Sequence, residues 1–286
     1  MGIGPAAAVR ALAAAVAAAV LLAGCSDTPE PAPAPTTAGT PSSSAPADPG
    51  PRYSAWELGV HALPRTADGF GEVLPTPKAL RVRRFRTTDL LPPPADGRFH
   101  ATVGAVTPAI RTRMGATWSP ACPVALAYLA YLNLTFRGFD GGVHTGELVV
   151  AADQADNVVS VFRTLFRASY PIEEMRLPTT ADLEAPPTGD GNNTAGLVCR
   201  AARGQTSWSA HAYGLAVDVN PFLNPYSKGD LVLPERASAY LDRTRTQPGI
   251  IHPGDVVVRA FTRIGWTWGG SWSSLKDYQH FSATGR

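Results

Sequence analysis

The chain has 286 residues, 44% hydrophobic and 17% charged, and its 25 Lys and Arg against 23 Asp and Glu leave a formal net charge of +2. So even a balance gives no basis for binding nucleic acid. The 27 Pro and 27 Gly forecast a folded domain with many turns.

The first 24 residues carry one charge, Arg10, and then an Ala/Val/Leu run that ends in Leu22-Ala23-Gly24-Cys25. The run is too short to span a bilayer comfortably, and residues 1–24 read as a signal peptide. Leu-Ala-Gly-Cys resembles a bacterial lipobox, with Cys25 as the acylated first residue of the mature chain. A plain secretory signal cut nearby is the alternative. Residues 25–51 hold the lipidated Cys and then mostly Pro, Ala, Ser and Thr, which cannot bury enough apolar surface to fold. Such a tether stays extended and reaches up to roughly 80 Å. These features predict an extracytoplasmic protein, lipid-anchored to the outer face of the bacterial cytoplasmic membrane. Contact with the membrane is expected through the anchor only, because no later segment is apolar enough to cross it.

The 235 residues from Arg52 to Arg286 suffice for one sizeable core. Arg52 to Met114 is rich in Pro and turn signals and shows no core pattern of its own. Residues 52–143 are therefore expected to wrap a core formed by residues 144–286. Within the wrap, Arg81-Val82-Arg83-Arg84-Phe85-Arg86 alternates like a solvated strand face; contact with acidic wall polymers is the second reading. Cys122 and Cys199 would both lie outside the cytoplasm, where a disulfide between them is favoured. Two free buried thiols are the alternative.

His144 and Glu147 form H-x-x-E, read as a pair at the start of the strand Glu147 to Ala151 more readily than as a second metal site. Asp156 to Ser169 places Val158, Val159, Phe162, Leu165 and Phe166 on one helical stripe, stopped by Pro171. Thr179 to Asn193 is polar and reads as a surface loop or lid. Asp255 to Ile264 repeats the helical stripe through Val257, Ala260, Phe261 and Ile264, with Gly265 just past its end. There is no internal repeat, and His61, His100 and His252 carry no pattern.

The chemistry concentrates in two segments, Ser209-Ala210-His211-Ala212-Tyr213-Gly214-Leu215-Ala216-Val217-Asp218 and Asp277-Tyr278-Gln279-His280-Phe281. Two imidazoles and a carboxylate make a ligand set that holds a catalytic zinc and leaves a fourth position for water. Asp277 stands three residues before His280, where a general base would serve. Seven extended residues would span roughly 23 Å, so His211 and Asp218 can share an ion only if the chain bends. Gly214 is the natural bend, since it accepts positive φ at little cost. Beyond it, Leu215, Val217 and Val219 point to the core while Ala216 and Asp218 point the other way. Asp277 and His280 need a bend of their own to face one ion. Read singly, His211 is more readily an ordinary hydrogen-bonded histidine and Asp218 a turn or cap residue before Asn220-Pro221.

The wider pattern is more specific. S-A-H-A-Y-G-L-A-V-D, followed by G-W-T-W-G-G-S-W and D-Y-Q-H-F, resembles the M15 zinc peptidases, D-alanyl-D-alanine carboxypeptidases and L-alanyl-D-glutamate endopeptidases acting on bacterial cell-wall peptides. The likeness runs from about Pro171 to Phe281 and extends towards His144. It implies an α+β single domain with a small antiparallel sheet packed against helices and the zinc site at the sheet, as in the M15 and hedgehog-like peptidases. It implies one Zn2+ per chain, with His211, Asp218 and His280 as ligands, and Asp277 and Arg200 as catalytic groups. Family carboxypeptidases often carry Glu where this chain has Asp277, and Asp is more like the endopeptidase branch. Ser209, Tyr213, Trp268 and Trp272 are candidates for contact with the substrate; Trp268 and Trp272 flank Gly269-Gly270, where backbone can approach a ligand closely. The expected partner is the peptidoglycan stem peptide, met by a monomer.

Two rivals stand beside this reading. A serine hydrolase would use Ser209 and His211, yet neither a G-x-S-x-G elbow nor a clear oxyanion loop is present. A wall-binding lipoprotein would keep the zinc without turnover; Asp277 beside a full ligand set argues against it.

Overall fold

The computed structural model describes residues 52–67, 69–202 and 205–285. The predicted leader, Cys25 and the Pro-rich tether lie outside the described residues. Residues 49–286 form one compact unit. The architecture is α+β, with three three-stranded antiparallel sheets and few helices among the described residues.

The first sheet joins β1 (Ala101–Ala105), β2 (Leu129–Arg137) and β3 (Val143–Ala151) in that order. Its two long strands pair over nine residues, from Leu129 opposite Ala151 to Arg137 opposite Val143. Helix α1 (Pro108–Met114) lies between β1 and β2 in sequence and begins at Thr107, whose side chain caps the Ile110 N–H. Helix α2 (Ala155–Arg167) buries the whole predicted stripe, Val158, Val159, Phe162, Leu165 and Phe166. Helix α4 (Val256–Arg263) starts on Asp255, whose carboxylate accepts from the N–H groups of Val257 and Val258. It stops at Gly265, which takes φ 79°. These two helices and the first sheet enclose the main core with Leu132, Leu148, Phe261 and Phe281.

The site hangs on the two smaller sheets. One has the order β4 (Ala216–Asp218), β9 (His280–Ser282), β7 (Thr267–Trp268); the other has β6 (Leu231–Leu233), β5 (Tyr226–Lys228), β8 (Lys276–Asp277). Val217 and Val219 are fully buried in the main core, so the alternation read from Leu215 to Val219 fixes the outward direction of Asp218.

Three expectations are corrected. The single small sheet is three sheets, because the metal-site strands are too short to extend the long β2–β3 pair. The run Arg81 to Arg86 is no strand, and Arg83 points inward: it is buried, and its Nε and Nη2 donate to Glu173 at 2.7 and 2.6 Å. Alternation cannot reveal a buried partner ninety residues away. The stretch Thr179 to Asn193 is only partly a surface loop. It contains α3 (Thr180–Glu184), opened by a capping box between Thr179 and Asp182, and it buries Asp190 and Asn192. Those polar side chains go inside because each has partners there: Asp190 accepts from the Trp56 indole and the Thr188 hydroxyl, and Asn192 bonds Glu173 and the Phe222 N–H.

Candidate metal centre

His211 sits in a 3-10 turn, Ala210–Tyr213, that ends at Gly214 with φ 69°. The turn provides the predicted bend. A side chain at Gly214 would put Cβ 2.5 Å from the Ala151 nitrogen, so the turn packs directly on the end of β3. His211 is buried and donates through Nδ1 to the Gly196 carbonyl at 2.7 Å. A ring whose Nδ1 carries the proton leaves Nε2 as a lone pair, and this contact therefore fixes the useful tautomer.

Asp218 and His280 face each other across the β4–β9 pair. The His280 Nδ1 lies 3.0 Å from Asp218 Oδ1 and 3.2 Å from His211 Nε2, and His211 Nε2 lies 3.2 Å from the same Asp218 oxygen. Three donor atoms thus form a nearly equilateral triangle. A single proton on His280 Nδ1 serves one of its two neighbours and leaves the other lone pair facing it. A metal cation satisfies all three at once, and this donor set fits one. Among the described residues this is the one cluster whose ligand atoms converge in that way. Burial would raise the pKa of Asp218, but the charges and hydrogen bonds of His211 and His280 outweigh it and hold the carboxyl far below its usual range.

Asp277 comes from β8 and turns towards the same place through Tyr278 and Gln279. It is half-buried as a residue, yet its Oδ1 is closed off from solvent and accepts no hydrogen bond. Burial first, and then the negative charge of Asp218, push its pKa up to about 7, against the pull of His280, the Gln279 side chain and Arg200. An unpartnered buried carboxyl oxygen beside three converging ligands is where a metal-bound water would donate.

Residues 203–283 match the family model described as D-alanyl-D-alanine carboxypeptidase. Over this segment the chain is similar to the M15 peptidases. The match begins well after Pro171, where the sequence resemblance starts, and takes in all three ligand candidates and Asp277 but not Arg200. No curated protein and no solved structure matches the chain.

The remaining site candidates of this segment and its surroundings divide. Trp272 places its ring 5.5 Å from that of His280 and is half-buried. Trp268 instead belongs to the core: it is buried, stacks on Phe281 at 6.5 Å, and its indole donates to the Tyr278 carbonyl at 2.8 Å. Trp266 is in the core as well. Tyr213 is exposed on the His211 turn. Arg200 is exposed, and its carbonyl accepts from the Ser209 N–H at 3.2 Å, two residues before His211.

Ser209 stands at the start of the His211 turn, but its Oγ is buried and makes no hydrogen bond, so it does not hold the imidazole. The Gly196 carbonyl does so, a role that a backbone oxygen gives no sequence signal for. The same fact removes the bond that a Ser209–His211 hydrolase requires.

His144 and Glu147 hold no common ion. Three residues apart on β3 they face opposite ways: His144 is gripped by Asp89 and Asp140 at 2.8 and 3.1 Å, while Glu147 takes both terminal nitrogens of Arg113 at 2.6 Å and the Tyr131 hydroxyl. Cys122 and Cys199 form a disulfide, the pairing expected from the sequence.

Proposed function

We propose that the chain is a zinc-dependent peptidase that hydrolyses a peptide bond in peptidoglycan stem peptides, as a D-Ala-D-Ala carboxypeptidase or an L-Ala-D-Glu endopeptidase. The observation that carries this is the triangle of His211 Nε2, Asp218 Oδ1 and His280 Nδ1, with sides of 3.0 to 3.2 Å. Ligands about 2.0–2.1 Å from a tetrahedral zinc stand about 3.3 Å apart, close to those spacings. The match to a carboxypeptidase family model supplies the substrate class.

A bound zinc supplies a water acidified towards neutral pH and a Lewis acid for the scissile carbonyl. The chain's own groups do the rest. His211 and His280 offer neutral nitrogens, the first held in register by Gly196. Asp277 Oδ1 takes the proton of the attacking water and gives it to the leaving amine. Its unpartnered, water-excluded position suits that exchange, because no competing donor occupies the oxygen. Arg200 stabilises negative charge on the carbonyl oxygen or on a substrate carboxylate. Trp272 orients the substrate beside His280.

We place the protein outside the cytoplasm, anchored through Cys25, with the tether 25–51 letting the domain reach into the wall and residues 52–143 forming part of the same monomeric domain. Replacing Cys25 by Ala should release the mature chain from the membrane fraction.

Incubating the zinc-loaded protein with defined muropeptides and reading the products by mass spectrometry tests the activity. Loss of a terminal alanine identifies a carboxypeptidase, and separation of L-Ala from D-Glu identifies the endopeptidase. Intact muropeptides after prolonged incubation would refute both.

A further inference from the structure

Residues 198–202 and 205–209 pair as the two arms of a short hairpin that leads into the His211 turn. Ala201 pairs with Trp208 across it; the Ala202 N–H donates to the Ser207 carbonyl at 3.0 Å and the Ser209 N–H to the Arg200 carbonyl at 3.2 Å. Among the described residues, every hydrogen bond made from Arg200 to Trp208 stays within the hairpin. Arg200 and residues 205–208 are exposed. The described residues of the two arms thus bond to each other, and the arms join the body at Cys199 and Ser209.

One end is Ser209, continuous with the His211 turn. The other is Cys199, whose N–H donates to the Thr117 carbonyl at 2.9 Å and whose sulfur is bonded to Cys122. The anchoring side is firm. Thr117 is 1% exposed and its hydroxyl donates to the Met114 carbonyl at 2.9 Å. The Ala116 N–H is held by the Thr180 hydroxyl at 2.8 Å, and the Trp118 indole by the Val124 carbonyl at 2.9 Å. Met114 packs in a core cluster with Leu197, two residues before Cys199.

Arg200 is the first residue beyond this anchor. Its guanidinium makes one long bond, 3.4 Å to the neighbouring Ala201 carbonyl, so its donors remain available to an incoming anion. We infer that the Cys122–Cys199 disulfide is a positioning link of the active site: it fixes the base of the hairpin and so holds Arg200 beside Ser209, two residues before His211, where it can meet the substrate. The inference rests on the peptidase reading above. Without the link, the Cys199–Thr117 backbone bond and the packing of Leu197 still hold the base, but Cys199 and Arg200 are freer to shift. A misplacement of about 1 Å at a charge-stabilising group costs on the order of 10²-fold in rate.

The test compares four forms of the full-length protein: unaltered, Cys122→Ala with Cys199→Ala, Arg200→Ala, and all three substitutions together. Each is assayed on a defined muropeptide, with bound metal measured, and digested briefly with trypsin to follow cleavage after Arg200 and Arg203. The cysteine-free form should keep its metal and lose about 10- to 100-fold in kcat/KM. Adding Arg200→Ala to it should cost little more, because the disulfide acts through that residue. Trypsin should cut the hairpin at least tenfold faster without the link.

Fully additive losses, unaltered kcat/KM in the cysteine-free form, or unchanged trypsin cleavage would each overturn the inference. Should the cysteine-free form fail to fold, the folded protein reduced by a dithiol and alkylated takes its place. If the unaltered protein cleaves no muropeptide, the peptidase reading fails, and the trypsin comparison alone decides whether the disulfide holds the hairpin.

Discussion

Asp218 and His280 stand directly opposite each other on adjacent antiparallel strands, with the His280 Nδ1 3.0 Å from the Asp218 Oδ1. Two of the three ligand candidates are thereby set by strand register, and the register is set by Val217 and Phe281, which are fully buried on the opposite face. Metal affinity is in this way tied to packing of the main core. The third, His211, depends on a left-handed glycine and a carbonyl instead.

Asp277→Asn should retain the metal and lose turnover by about 10²- to 10⁴-fold, since the amide is nearly isosteric but cannot take a proton from water. Asp218→Asn should show the reverse order of effects, with metal lost first. Parallel metal analysis and turnover assays on the two variants check this. Near-normal turnover in a metal-loaded Asp277→Asn protein would remove Asp277 from the mechanism.

The raised pKa of Asp277, about 7 against an ordinary 3.8, has a consequence for the metal-free protein. The folded state keeps a proton that the unfolded state has already released between pH 4 and pH 7. The contribution of Asp277 to stability is thus fully present below about pH 4 and is lost as pH rises through 7. The ceiling on that loss is about 4 kcal/mol, at 1.36 kcal/mol per unit. Thermal melts of metal-free protein should show Asp277→Asn gaining on the unaltered chain as pH goes from 5 to 8. A difference that is flat or shrinks over that range would contradict the burial of an unpartnered carboxylate.

Gly269 is a steric requirement of the site. A Cβ there would lie 2.6 Å from the Asp277 carbonyl oxygen and 2.9 Å from the Asp277 Cβ. Gly269→Ala should displace the base and lower turnover at least tenfold while metal content stays near one per chain. Gly191→Ala, where a Cβ meets nothing within 4 Å, is the control and should leave turnover unchanged. Equal activity of the two variants would show that Asp277 tolerates the shift.

The buried Arg83–Glu173 pair ties the N-terminal segment to the strand region behind the site, and Asn192 adds a third partner at 3.0 Å. Glu173→Leu alone should cost about 3–5 kcal/mol in denaturant unfolding, because it strands a buried guanidinium. Adding Arg83→Met should recover most of that loss. No recovery in the double variant would mean that the pair itself stabilises the fold beyond its own desolvation.

Much of the site was legible because its signals are local. The Gly214 bend, the alternation of Val217 and Val219, and the stripe of α2 each follow from a few adjacent residues, and the ligand trio follows from the resemblance those residues carry. The parts that were not legible depend on distant partners. Arg83 looked solvated because Glu173, which neutralises it, is remote in sequence. The Gly196 carbonyl that orients His211 belongs to the backbone, which has no residue type to read. Trp268 and Trp272 look alike in sequence, yet the packing of Phe261 and Phe281 takes the first into the core and leaves the second beside His280.

The most direct test of the metal-centre assignment is the metal content of purified protein, measured for the unaltered chain and for His211→Ala, Asp218→Ala and His280→Ala after equilibration with zinc. The structure predicts about one ion per unaltered chain and a sharp loss in each variant, since each removes one corner of the ligand triangle. Full occupancy in all three variants, or none in the unaltered protein, would contradict the assignment.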